Sequence, residues 1–230
     1  MKKRKSVFGS FLETLSRICF FASCYGNPFS IVLSRYLGNQ RKKMKVVDRH
    51  TGISCITFLD AHRYFGEIFH YTEYEVPRFP LRKGDYVLDI GANHGFFSLW
   101  AAEKGCAVYA FEPAGSSFDI LMENIEANKR RITGHVIAEK VAIGSRMARV
   151  PLFVDSSVGG TCTTTIRCFR DKSSLSYLAT EIVNQKTIAQ IFTERNLNRI
   201  RLCKLDCEGA ELDILSSLPE ELRSRIDAFV

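Results

Sequence analysis

Val87-Leu88-Asp89-Ile90-Gly91-Ala92-Asn93-His94-Gly95-Phe96-Phe97 is the stretch whose reading decides the fold. An apolar run ends in an acid, the chain turns at Gly91, and Gly95 opens residues 96–104, whose apolar positions recur at helical spacing. A second apolar run, 106–111, follows, so strand, glycine turn, helix and strand make a βαβ unit. Glycines in such a turn let backbone approach a ligand closely.

Outward from this unit the alternation continues. A helix is predicted over 117–129, a strand near 135–138, a β-like run over 148–154, a helix around 186–195, a strand over 201–206 and a helix over 211–217. Residues 225–230 read as the opening of one more strand. This order predicts an α/β fold with a doubly wound, mostly parallel, Rossmann-like sheet. Upstream, the texture changes near Leu81, where Lys83, Gly84 and Asp85 precede the apolar run. Residues 7–37 read as loosely helical, while 44–60 and 66–78 hold short β-like runs with Phe58, Tyr64, Phe65, Phe69, Tyr71 and Tyr74. The chain therefore divides into a basic helical/β extension, 1–65, that caps a ligand-binding domain, 66–230.

The composition, 46% hydrophobic and 25% charged over 230 residues, suits one sizeable globular core. The net charge of +7 is partly local, with Lys2 to Lys5 in one cluster and Arg41, Lys42, Lys43 and Lys45 in another. No aromatic-rich motif accompanies them, so they read as a solvated arm, and no nucleic-acid partner is expected. Glu13, Arg17, Asn27 and Arg35 interrupt the apolar residues of 7–37 before the ~20 that a membrane span needs. Residues 1–24 imitate a signal peptide poorly. Eight cysteines (Cys19, Cys24, Cys55, Cys106, Cys162, Cys168, Cys203, Cys207) form no CxxC pair. They fit core thiols in a reducing cytoplasm and no metal site.

A dinucleotide fingerprint wants G-x-G-x-x-G, but Asn93 and Phe96 stand where its second and third glycines belong, which disfavours pyrophosphate and a nicotinamide-dependent oxidoreductase. Asp89 instead suits a ligand ammonium, as S-adenosylmethionine carries. Glu112 ends the next strand 21 positions after Gly91, close to the ~20-residue spacing of a ribose-binding acid. Either residue alone reads as an ordinary turn or surface acid; in frame, the two favour a nucleoside ligand. Residues 200–211 deliver a third acid, Asp206, to a strand end, as a cofactor contact or as a base toward an acceptor hydroxyl. Glu208 is another candidate base, and Glu208 or Glu211 could cap the next helix. His94 titrates near neutrality, which suits a base, although a lone histidine in a glycine turn more often serves as a helix-start hydrogen-bonder. The stretch 159–165, rich in glycine and threonine, reads as a substrate loop or a plain loop leading into a strand.

Together VLDIGANHGFFSLWAA, VYAFEP, KVAIGSR and RLCKLDCEGAELDIL resemble the FkbM family of methyltransferases in order and spacing, over residues 67–230. The resemblance implies a class I methyltransferase fold using S-adenosylmethionine. Asp89, Gly91, Asn93 and Gly95 would surround its methionine portion, Glu112 followed by Pro113 its ribose, and Val141 and Ala142 its adenine. Asp206 would face the sulfonium. The resemblance further implies methyl transfer to oxygen, commonly a hydroxyl of a sugar or polyketide-like small molecule. Holding the partners in near-attack geometry would then contribute more than a base, of which Asp206 and His94 are the candidates. Against the family pattern the final strands are missing after Val230, and an incomplete domain is expected. The alternative reading is therefore a catalytically impaired cofactor-binding module.

Overall fold

The structure, a computed structural model, describes residues 22–31, 43–59, 61–71, 73–155, 164–165 and 177–230. Lys2 to Lys5, Arg41, Lys42 and the first part of the threonine-rich stretch, 159–163, lie outside these residues. A hairpin comes first, β1 (Lys43–Val47) antiparallel to β2 (Ser54–Phe58), followed by α1 (His62–Phe69). Then run β3 (Tyr86–Ile90), α2 (Phe96–Glu103), β4 (Ala107–Phe111), α3 (Gly115–Asn128) and β5 (His135–Glu139). Next come β6 (Ala142–Ile143), β7 (Ala148–Asp155), β8 (Thr164–Thr165) and β9 (Tyr177–Lys186). Last are α4 (Ile188–Glu194), β10 (Leu202–Leu205), α5 (Glu211–Ser217) and α6 (Glu220–Arg223).

The central sheet has the order β10-β3-β4-β5, with every pair parallel. Outside β10 the chain returns in parallel, with Cys203 N–H donating to Ala228 O at 2.9 Å and Leu205 N–H to Val230 O at 2.8 Å. The fold is thus α/β and doubly wound. From β3 the chain steps outward through β4 to β5, and later returns to the other side of β3 as β10. Strand order reverses between β3 and β10, and in open α/β sheets ligands bind outside the strand C-termini at such a point.

The pleat sorts side chains by parity. Val87, Val108 and Leu202 share one apolar cluster with Phe97, Leu99 and Trp100 of α2 and Val46 and Cys55 of the hairpin. Leu88, Tyr109 and Cys203 share another with Ile188 and Ile191 of α4 and Ile214 of α5. Helix α2 is buried from Phe96 to Ala102, as a helix covered on all sides must be when apolar all round. The hairpin is tied to α3 through two buried asparagines. Asn124 accepts from Ile56 N–H at 2.6 Å and donates to Ile56 O at 2.9 Å, and Asn128 does the same with Ser54 at 2.9 and 2.7 Å. Their amides complete the edge of β2 as a further strand would.

Two expectations differ. Residues 66–71 and 73–78 are the end of α1 and turns rather than β-like runs, because Phe65 and Ile68 turn inward at helical spacing, with Phe65 meeting Phe96 edge-on at 5.4 Å. Strand β9 was not anticipated; it pairs along its length with β7 in a second sheet of order β6-β9-β7-β8. Among the described residues no helix is long and apolar enough to cross a membrane, and no cluster of His, Cys, Asp and Glu could hold a metal ion.

Candidate active site

Four chain segments end at one crevice, which is lined by Gly91 and Asn93 after β3, Glu112 and Pro113 after β4, Ala142 and Ile143 of β6, and Asp206 to Glu208 after β10. Phe111 and Leu152 give it an apolar end. Gly91 is at φ 79°, and a Cβ there would come within 1.9 Å of Asp206 O, so only glycine lets the two loops touch. Asn93 and Glu208, at φ 49° and 56°, also occupy the left-handed region that non-glycine residues adopt mainly where the surroundings enforce it.

Glu112 is buried, and two backbone donors hold its carboxylate: Asn93 N–H reaches one oxygen at 2.8 Å, Ala114 N–H the other at 2.9 Å. Burial pushes this carboxyl up to about 7; the two N–H groups only partly offset the lost hydration. A carboxylate has about four acceptor sites, so two remain for a ligand in the crevice.

At the switch point sits Lys204, 4% exposed. Its ammonium lies 3.3 Å from Asp89 Oδ1 and 3.3 Å from Asp206 Oδ2, and donates to Gly91 O at 3.0 Å. Burial alone would lower its pKa, but the charges of Asp89 and Asp206 more than offset this and raise it, so the lysine is a fixed cation. Asp89 is wholly buried, and its other oxygen accepts from Ser98 Oγ at 2.6 Å. A second cavity adjoins the first beyond Gly91, Asn93, Asp206 and Glu208, roofed by Tyr64, Glu67, Glu73 and Tyr74.

The structure thus brings Gly91, Asn93, Glu112, Pro113, Ala142, Asp206 and Glu208 together. It places four expected residues elsewhere. Asp89 lies beneath the crevice against Lys204, Gly95 starts α2 against Leu121, and Val141 is buried in the core. His94 is buried, with Nδ1 2.9 Å from Thr57 Oγ1 and its ring edge-on to Phe58 and Phe96, and borders the second cavity rather than the first. Glu211 folds back on the preceding loop, accepting from Cys207 and Gly209 N–H at 2.8 and 2.9 Å. Burial raises the pKa of Glu208, and the neighbouring charges of Asp206 and Glu211 add to the effect. Sequence reasoning missed Lys204 and Ser98. The signal for Lys204 was a lone cation inside an apolar strand whose end carries an acid.

The sequence profile of the Methyltransferase FkbM domain matches residues 89–229, from the buried Asp89 to the C-terminal segment that bridges to β10. The chain belongs to this family. Methyltransferase 1 of Beauveria bassiana (strain ARSEF 2860) is 29% identical over 178 residues, 71% of this chain and 70% of that protein. The 31-O-demethyl-FK506 methyltransferase FkbM of Streptomyces tacrolimicus is 35% identical over 101 residues, 43% of this chain and 38% of that one. Among solved structures, the Pyrococcus abyssi tRNA (uracil-54, C5)-methyltransferase in complex with S-adenosyl-L-homocysteine aligns with a TM-score of 0.28 and 16% identity, over 44% of this chain and 24% of that one. The FkbM domain of this chain therefore holds every crevice residue described above.

Proposed function

We propose that the crevice binds S-adenosylmethionine and that the enzyme transfers its methyl group to a hydroxyl of a small molecule, a sugar or a polyketide-like compound. The carrying observation is Glu112, a buried carboxylate braced by two N–H groups with its free acceptor sites toward the crevice, as a ribose diol requires. Phe111, Ala142, Ile143 and Leu152 offer the adenine an apolar slot. Asp206, half exposed, faces the junction of the two cavities, where it suits a cationic centre. The relative named for 31-O-demethyl-FK506 supports oxygen as the accepting atom.

When bound, the cofactor supplies an electrophilic methyl group on sulfur. Residues of this chain then have two tasks, of which positioning is the larger. Gly91 and Asn93 fix the floor of the crevice, Glu112 the ribose, and Asp206 or Glu208 takes the hydroxyl proton at a carboxylate oxygen. Free, buried thiols at Cys55, Cys106 and Cys203 suit a reducing cytoplasm as the site of the reaction. Calorimetric titration of S-adenosylmethionine, with Glu112→Ala as control and NAD as competitor, tests the reading. Micromolar binding that weakens in the variant and ignores NAD supports it. A folded chain that binds nothing discards it, and binding without any methyl transfer across a panel of hydroxylated acceptors would leave a cofactor-binding module instead.

A further inference from the structure

Among the described residues that line either cavity, Lys204 is the one lysine or arginine, and it sits where the loops after β3 and β10 meet. Cross-strand register puts it directly beside Asp89, and both point to the same face of the sheet as Val87 and Leu202. A lysine in so apolar a strand carries a large desolvation penalty unless its charge is used. Here one ammonium reaches three oxygens, one on β3 and two on the loops that follow β3 and β10: Asp89 at 3.3 Å, Gly91 O at 3.0 Å and Asp206 at 3.3 Å. Asp89 and its Ser98 donor are wholly buried, so that carboxylate faces the lysine and no ligand. Asp206, in contrast, is 57% exposed and borders both cavities.

We infer that Lys204 is a positioning residue: it holds the Asp206 carboxylate and the Gly91 carbonyl at the junction, so that Asp206 is aimed at the cationic sulfur of the cofactor. This rests on the cofactor reading above. The charge count separates aim from charge. Asp89, Lys204 and Asp206 sum to one negative charge, and the pair variant Asp89→Asn with Lys204→Met leaves that sum unchanged. Such a variant removes only the clamp, and replacing a buried ion pair by neutral groups is compatible with folding. The other ionisable neighbours, Tyr74, Glu112, Cys203, Cys207 and Glu208, are untouched.

The readout is the ratio of affinities for S-adenosylmethionine, which is cationic at sulfur, and S-adenosylhomocysteine, which is neutral there. Both are titrated calorimetrically into the full chain, with a thermal melt to establish folding. An aimed carboxylate loses value for the cation alone, so the pair variant should lower the ratio about tenfold, in the range of a charge-assisted contact, with homocysteine-ligand affinity kept within about twofold. Asp206→Asn should lower it as much, and adding the pair change to Asp206→Asn should lower it no further. Equal weakening of both ligands in the pair variant would show a merely structural lysine and overturn the inference. So would a further drop in the Asp206→Asn background, which would mean that the lysine acts without Asp206. A wild-type chain that binds neither ligand removes the cofactor reading and this inference with it, whereas normal wild-type binding with an unmoved ratio removes only the inference.

Discussion

Two strand ends in this molecule deliver an acid to the same crevice and treat it in opposite ways. After β4, Glu112 is buried and, among the described residues, has no cation in contact; two backbone N–H groups hold it, and its carboxyl is pushed up to about 7. After β10, Asp206 stands half in solvent with a buried ammonium 3.3 Å away. The first end presents neutral dipoles and suits hydroxyl groups; the second is built on fixed charge and suits a cation. What an acid can do at a strand end is decided by its company rather than by its place in the motif.

The sharpest way to break the comparison is to remove the cation. Lys204→Met leaves Asp89 charged and wholly buried, and losing one partner of such a pair costs about 3–5 kcal/mol. Urea unfolding should show this loss, and the addition of Asp89→Asn should recover most of it. A single variant as stable as wild type would mean that water or a shifted backbone already neutralises Asp89.

At the other end, Glu112→Ala removes the acceptor and spares the charged cluster. S-adenosylmethionine affinity should fall about 100-fold, which is about 2.7 kcal/mol, with stability little changed. Affinity that survives the substitution would move the ribose elsewhere. Next in size is Ser98→Ala, which takes from Asp89 the hydroxyl donor at 2.6 Å without touching the crevice. It should cost about 2 kcal/mol in unfolding experiments, as expected for a buried bond to a charged group. Ligand affinity should stay put; a matching loss of affinity would tie Asp89 to the ligand after all.

How much of this was legible follows the range of the interactions. Strands β3, β4 and β10 were readable because each is an apolar run ending in an acid, and Glu112 was readable from its spacing to Gly91. Asp89 was readable as a strand-end acid but not as a buried one, since its environment comes from Ser98, in the first turn of α2, and Lys204, half the chain away. Lys204 itself sits in a run read as merely apolar. Strand β9 escaped because its partner β7 lies across a long connection, and its alternation, with Ile182 exposed and Val183 buried, has meaning only against that partner. Helix α1 escaped because its aromatics favour strands locally, while Tyr25 and Phe96, which pack on Phe65, reward a helix.

The smallest expected effect is also the one that separates the two strand ends by pH. In the free protein, the Glu112 carboxyl titrates near 7 rather than at its ordinary 4.5. Folding therefore favours its protonated form, and stability falls as the pH rises from about 4.5 through about 7. Ligand binding runs the other way, because ribose hydroxyls donate and the ionised carboxylate is the better acceptor. Affinity for S-adenosylmethionine should be full above about 7 and drop by up to about tenfold per pH unit below it, with proton release on binding. Glu112→Gln keeps the shape and removes the titration, so both slopes should flatten in that variant while the charged cluster at Lys204 is unaffected. Calorimetry and urea unfolding between pH 5.5 and 8.5 supply the two curves. If wild type and Glu112→Gln trace parallel lines, the titrating group is another, with Glu208, whose pKa is also raised, the next to substitute.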